Sequence, residues 1–273
     1  MNGMRRARAV PKLKKRPRDG HKGTFGTVLL VAGSASMPGA AILAASAALR
    51  GGAGLVRMAL PASLRVPLAC AVPCATTVGR EPAALRDAVA AASAVVVGPG
   101  LGDTRATRAL VARTLRARGV PVVLDADALN VLAPMRAPFA TRGPVVLTPH
   151  PGEAARLLGT TVAEVQRDRL GALRALCRRS RSVVVLKGAR TLVGDGARWF
   201  ENRTGNPGLA TGGSGDVLAG LLGALLAQGM TPFDAAVLAV HVHGAAGDRV
   251  AAALGEAGLI ASDLPLAIAA ELR

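Results

Sequence analysis

Short runs of consecutive apolar, largely β-branched residues recur along this 273-residue chain, each closed by Gly, Pro or a charged residue. They are TVLLVAGS (27–34), LVRMAL (55–60), AVVVGPG (94–100), PVVLDAD (121–127), PVVLTPH (144–150) and SVVVLKG (182–188). A strand with one face in water alternates apolar and polar residues; these do not, so both faces of each strand are covered. Parallel strands need a long crossover, and segments 39–50, 104–118 and 161–180 carry helical patterns that supply it. The expected fold is therefore α/β, a mostly parallel sheet between two layers of helices.

TLVGDGARWF (191–200) follows the last run too closely for a crossover helix, and its GDG is a hairpin signal, so an antiparallel pair is expected at one edge. Helices follow at 216–228, 232–254 and 262–272, the second opened by Thr231 as N-cap and Pro232 at the first helical position. No internal repeat or interdomain linker interrupts residues 21–273, which read as one domain. With 51% hydrophobic but only 2% aromatic residues, its core must be Ala, Val and Leu.

The net charge of +17 is concentrated at the start, where residues 1–22 hold nine Lys or Arg against Asp19 alone. Residues 1–20 read as a disordered basic arm. Elsewhere the Arg residues recur at helical spacing, as on solvated faces. No Tyr, one Trp and four Phe leave no aromatic platform for stacking bases, which argues against nucleic-acid binding. No apolar stretch is long enough for a membrane span, and no secretory apolar region follows the basic start, so a cytoplasmic protein is expected. Cys70, Cys74 and Cys177 fit no zinc or redox spacing and read as buried free thiols.

In an open parallel sheet, ligands gather at the carboxyl ends of the strands. There the sequence places GGSGD, ahead of an apolar helix: the Gly213, Ser214 and Gly215 amides could bind an anion at the helix N-terminus, with Asp216 beside them. Two roles are open to Asp216, helix cap or general base. KGART (187–191) ends a strand next to the hairpin and suits a nucleotide. His150, between two prolines in TPHPGE, is held by its loop and suits a substrate contact, with Glu153 a first-turn helix charge. Asp125 and Asp127 could orient Mg²⁺ or water, or cap the next helix. GPGLG lacks the GxGxxG spacing, no P-loop occurs, and His241 and His243 lie on different helix faces, so a metal pair is not expected.

Together, HKGTFGTVLLVAGSASMPGAA, VVVGPGLG, VVLDADALN, LTPHPGE, VVLKGART and NPGLATGGSGDVLAGLLGALLAQG resemble the ADP-dependent NAD(P)H-hydrate dehydratases from about residue 21 onward. The resemblance implies a ribokinase-like three-layer α/β/α sandwich. It also implies dehydration of the S form of NADH or NADPH hydrate, with ADP as co-substrate, Mg²⁺ assisting, and AMP and phosphate released. By the same resemblance Ala41, Gly100, Gly102, His150 and Asp216 contact the hydrate. Lys187, Gly188, Ala189, Arg190, Thr191 and Gly215 hold the nucleotide, and a homotetramer is expected. Many relatives carry an N-terminal epimerase domain; here only the basic arm precedes the motif, so no epimerase activity is expected. The alternatives are a hydroxymethylpyrimidine or hydroxyethylthiazole kinase of the same superfamily, or a non-catalytic nucleotide-binding protein.

Overall fold

The computed structural model describes residues 4–116, 119–139, 141 and 143–272. Its strands are β1 (Arg5–Arg6), β2 (Thr27–Val31), β3 (Leu55–Ala59), β4 (Thr76–Val78), β5 (Ala94–Val97), β6 (Val122–Leu124), β7 (Val145–Leu147), β8 (Val183–Leu186), β9 (Leu192–Gly194) and β10 (Arg198–Glu201). They form one sheet in the order β1-β10-β9-β8-β7-β6-β5-β2-β3-β4. Among the described residues β9 runs antiparallel to β8 and β10, and every other pairing is parallel.

The helices are α1 (Pro38–Arg50), α2 (Ala62–Ala71), α3 (Pro82–Ala90), α4 (Arg105–Leu115), α5 (Asp127–Asn130), α6 (Pro151–Leu158), α7 (Val162–Arg167), α8 (Arg169–Ser180), α9 (Ser214–Ala227), α10 (Pro232–Leu254) and α11 (Leu264–Glu271). Alternation along each strand divides the core. Val28 and Leu30 of β2 and Val96 of β5 join α1, α9, α10 and α11 on one face. Leu29, Val31, Val95 and Val97 join α3, α4, α6 and α8 on the other. The continuous apolarity of the runs thus has its expected cause. α9 is the most enclosed helix: from Val217 to Ala227 every residue is buried, against α1, α10 and the sheet.

The edge hairpin and parallel order are as expected, with four differences. First, β4, α2 and α3 were not legible: β4 is a three-residue edge strand with no buried residue, and α2 carries Pro67 in its interior. Second, the segment 161–180 is two helices, broken at Asp168, whose Oδ1 accepts the Gly171 N–H at 2.8 Å and caps α8. The expected end of the 104–118 helix falls on 117–118, outside the described residues. Third, residues 4–20 do not lie free. Arg5 N–H donates to Ala197 O at 2.9 Å and Ala7 N–H to Trp199 O at 2.7 Å, and Ala7, Val10 and Leu13 pack against the core. The charges that suggested disorder are interleaved with the small apolar residues that dock the arm. Fourth, Cys70 is exposed because α2 buries only Leu68, and Cys74 is exposed in the turn that follows, whereas Cys177 is buried and its thiol is pushed up to about 12, chiefly by desolvation. Among the described residues, no helix is long and apolar enough to cross a membrane.

Candidate active site

Strands β6, β7 and β8 end together, and the loops that follow them bring three charged residues to one point. Asp125 is 1% exposed; its Oδ1 accepts from Thr148 Oγ1 at 2.6 Å and from Lys187 Nζ at 2.8 Å. Lys187 Nζ also lies 3.9 Å from Glu153 Oε2. Burial opposes the Lys187 charge, but Asp125 and Glu153 outweigh it and hold the pKa above its usual value. Glu153 is pushed up to about 6, first by burial and against the pull of Lys187.

The GGSGD turn faces this group. α9 begins at Ser214, two residues earlier than the sequence suggested, because Gly213 takes a φ of +90° that a side chain would disfavour. Gly213 is therefore the N-cap and offers no side chain to the helix. Asp216 sits in the first turn, and among the described residues its carboxylate accepts no hydrogen bond, so it does not cap the helix. Its pKa is raised to about 7, first by desolvation and then by the charge of Asp125, with Lys187 pulling the other way. The Ser214 N–H leans on Thr211 O at 3.4 Å; the Gly213, Gly215 and Asp216 N–H groups have no acceptor among the described residues. A Cβ on Gly215 would lie 3.2 Å from Lys187 Nζ, so this position keeps the ammonium close to the helix end.

Behind the turn, His243 Nε2 lies 3.0 Å from Ser214 O and 3.3 Å from Ser214 Oγ. Burial pushes His243 down to about 4, so the ring is neutral and its Nε2–H donates to the Ser214 carbonyl. His150 has two jobs, of which the sequence suggested only the contact with substrate. Its Nδ1 caps α6, accepting from Gly152 N–H at 3.0 Å and Glu153 N–H at 3.4 Å, while Glu153 Oε2 accepts the His150 N–H at 2.7 Å. Because Nδ1 is an acceptor, the neutral ring carries its proton on Nε2, and half of the side chain stays exposed to the cavity.

These groups line one cavity of about 1240 Å³, with Lys187, Gly188, Ala189, Arg190 and Thr191 along one wall and Gly213, Ser214, Gly215 and Asp216 at its head. That exceeds the volume of an ordinary small-molecule pocket, roughly 300–1,000 Å³. Ala41, Gly100 and Gly102 lie outside its lining. Ala41 is fully buried in the core, and a Cβ on Gly100 would meet Ala40 Cβ at 2.8 Å, so Gly100 serves the approach of its loop to α1. The Gly102 N–H is taken by Asp127 Oδ2 at 2.7 Å, which gives Asp127 a structural task. The sequence did not show that Asp125 pairs with Lys187, nor that His243 supports the turn. Those partners are 62 and 29 residues apart and meet only through the sheet order and the packing of α9 on α10.

A family model described as NAD(P)H-hydrate dehydratase matches residues 28–269 of this chain. The chain belongs to that family. A relative from Neisseria meningitidis serogroup B, named ADP-dependent (S)-NAD(P)H-hydrate dehydratase, is 45% identical over 92% of this chain and 86% of its own length. The ADP/ATP-dependent NAD(P)H-hydrate dehydratase of Bacillus subtilis, co-crystallized with ATP/Mg²⁺, has a TM-score of 0.87 and 34% identity, covering 95% of this chain and 93% of that one. A ribokinase-like superfamily protein of Enterococcus faecalis has the same TM-score, 0.87, at 29% identity, covering 100% of this chain and 96% of that one. The chain thus has the ribokinase-like α/β fold. It spans about half the length of the bifunctional NAD(P)H-hydrate repair enzymes it matches, 50% in the one from Moorella thermoacetica.

Proposed function

We propose that the chain catalyses ADP-dependent dehydration of the S form of NAD(P)H hydrate, returning NAD(P)H with AMP and phosphate. One observation carries the reading: Asp216, raised to about 7 and without a hydrogen-bond partner among the described residues, sits beside helix N–H groups that are likewise unpartnered among them, at the head of a cavity large enough for two ligands. Hydroxide is a poor leaving group and phosphate a good one. In this reading Asp216 takes the proton of the hydrate's hydroxyl as its oxygen attacks the terminal phosphorus of ADP, and AMP leaves. The Gly213, Gly215 and Asp216 N–H groups stabilise the charge on the transferred group. The carbon–oxygen bond then breaks with its electron pair going to phosphate, and loss of the neighbouring ring proton restores the double bond. Neutral His150, its Nδ1 occupied, is suited to donate from Nε2 to the substrate.

In this proposal Lys187 to Thr191 with Gly215 form the nucleotide wall, whereas Ala41, buried in the core, and Gly100 and Gly102, outside the cavity lining, support the loops beside the hydrate rather than touch it. Among the described residues no group of three or more His, Cys, Asp or Glu could hold a metal ion. The donors fit Mg²⁺ only as an ion carried by the nucleotide, ligated mostly by phosphate and water with one or two carboxylates such as Asp125 or Asp216 nearby. When bound it would screen phosphate charge. A cytoplasmic homotetramer is part of the same reading, and the exposed Leu254, Ile260 and Leu266 support burial of that end against another copy. The test is product analysis by phosphorus NMR: S-hydrate plus ADP should give AMP and phosphate in equal amounts with NAD(P)H. A stable phosphorylated alcohol as end product would favour a small-molecule kinase instead.

A further inference from the structure

The N-terminal arm reaches the nucleotide end of the cavity. Its β1 pairing holds Arg6 between two backbone hydrogen bonds, Arg5 N–H to Ala197 O and Ala7 N–H to Trp199 O, which fixes where the Arg6 side chain starts. The guanidinium lies over the Trp199 ring, 5.0 Å from its centroid, and Nη2 is 2.6 Å from Glu201 Oε2. Arg6, Glu201 and Arg190 all line the cavity. Glu201 is the constrained member, its side chain 16% exposed, whereas the Arg190 side chain is 80% exposed and only 3.5 Å from the other carboxylate oxygen.

We propose that Arg6 is a nucleotide-positioning residue: it neutralises Glu201, so that phosphates entering beside residues 187–191 do not face a bare carboxylate. The inference rests on the reading of that wall as the nucleotide site. The charges around the cavity explain the need. At its head Asp125, Glu153 and Asp216 face Lys187, an end with more acid than base. At the rim, Arg6, Arg190 and Arg203 against Glu201 leave two surplus positive charges. Arg190, exposed and held loosely, is free to turn toward a phosphate. When it does, Arg6 alone keeps Glu201 paired. Without Arg6 the surplus is halved and, with the 2.6 Å pair gone, a nucleotide carrying several negative charges meets a partly desolvated anion, where repulsion is stronger than in bulk water.

The experiment is titration of ADP by calorimetry at low ionic strength, with steady-state kinetics, on the full chain and its R6A, R6K, E201Q and R6A/E201Q variants. R6A should weaken ADP binding about tenfold and raise its KM in step, with kcat at saturation within about twofold, because only a ground-state interaction is lost. R6K should recover most of the affinity. R6A/E201Q should bind as E201Q does, since no bare carboxylate remains. Unchanged affinity in R6A, or a double variant as weak as R6A alone, overturns the proposal; the second result would mean that the arm had simply come undocked. If the unaltered protein binds no ADP, the functional reading itself fails, an outcome distinct from ADP binding that ignores Arg6.

Discussion

Asp216→Asn removes a charge and almost no volume, so it separates the base from the cap. The Asp216 carboxyl has a pKa of about 7 in the fold against an ordinary 3.8. Between those pH values the fold keeps a proton that the unfolded chain has lost, so the stability this group contributes is present below pH 4 and is lost as pH rises through about 7. The full difference would cost the fold roughly 4 kcal/mol above pH 7, at about 1.4 kcal/mol per unit. Screening at a partly exposed carboxylate reduces this to about 1–2 kcal/mol. The Asn variant should therefore melt about 2–8 °C higher than the unaltered protein at pH 8, with little difference near pH 4. Its turnover should fall about 100-fold or more while ADP still binds, as expected for loss of a general base. Calorimetric melts at the two pH values, run beside the hydrate assay, read both effects. A variant destabilised at both pH values would show that Asp216 supports the helix; one with full turnover would show that it is not the base.

Further outcomes follow from the same geometry. kcat/KM of the unaltered protein should climb with pH through about 7 as Asp216 ionises, and the residual rate of the Asn variant should lack that limb; a limb centred near 4 would point to His243. Lys187→Met leaves Asp125 buried without its cation and should cost about 3–5 kcal/mol in urea unfolding; an unchanged midpoint contradicts the pairing. Gly213→Ala places a Cβ 2.4 Å from Leu43 Cδ1 at a φ of +90°, and should cost about 1–3 kcal/mol. Gly212→Ala, where nothing lies within 4 Å, is the control and should melt as the unaltered protein does.

Local pattern carried most of the architecture. Runs such as VVVL at 183–186 announce strands covered on both faces, and Thr231 and Pro232 announce the start of α10. What stayed hidden depends on contacts distant in sequence. Three half-exposed or exposed residues at 76–78 become a strand only beside β3. The arm looked free because its charges were counted and the docking of Ala7, Val10 and Leu13 was not visible. At the site the sequence supplied Asp216, Lys187 and His150 as residue types in plausible turns. It could not say that Asp125 would neutralise Lys187, that α9 would begin at Ser214 and leave Asp216 with no cap to make, or that His150 would be both cap and cavity wall.

The most direct test of the account is recovery of the dihydronicotinamide's near-ultraviolet absorbance when the purified protein is given the S-hydrate, with and without ADP. The account predicts full recovery with ADP present, none without it, and almost none in Asp216→Asn. No recovery by the unaltered protein with ADP or ATP, or recovery that needs no nucleotide, would contradict it.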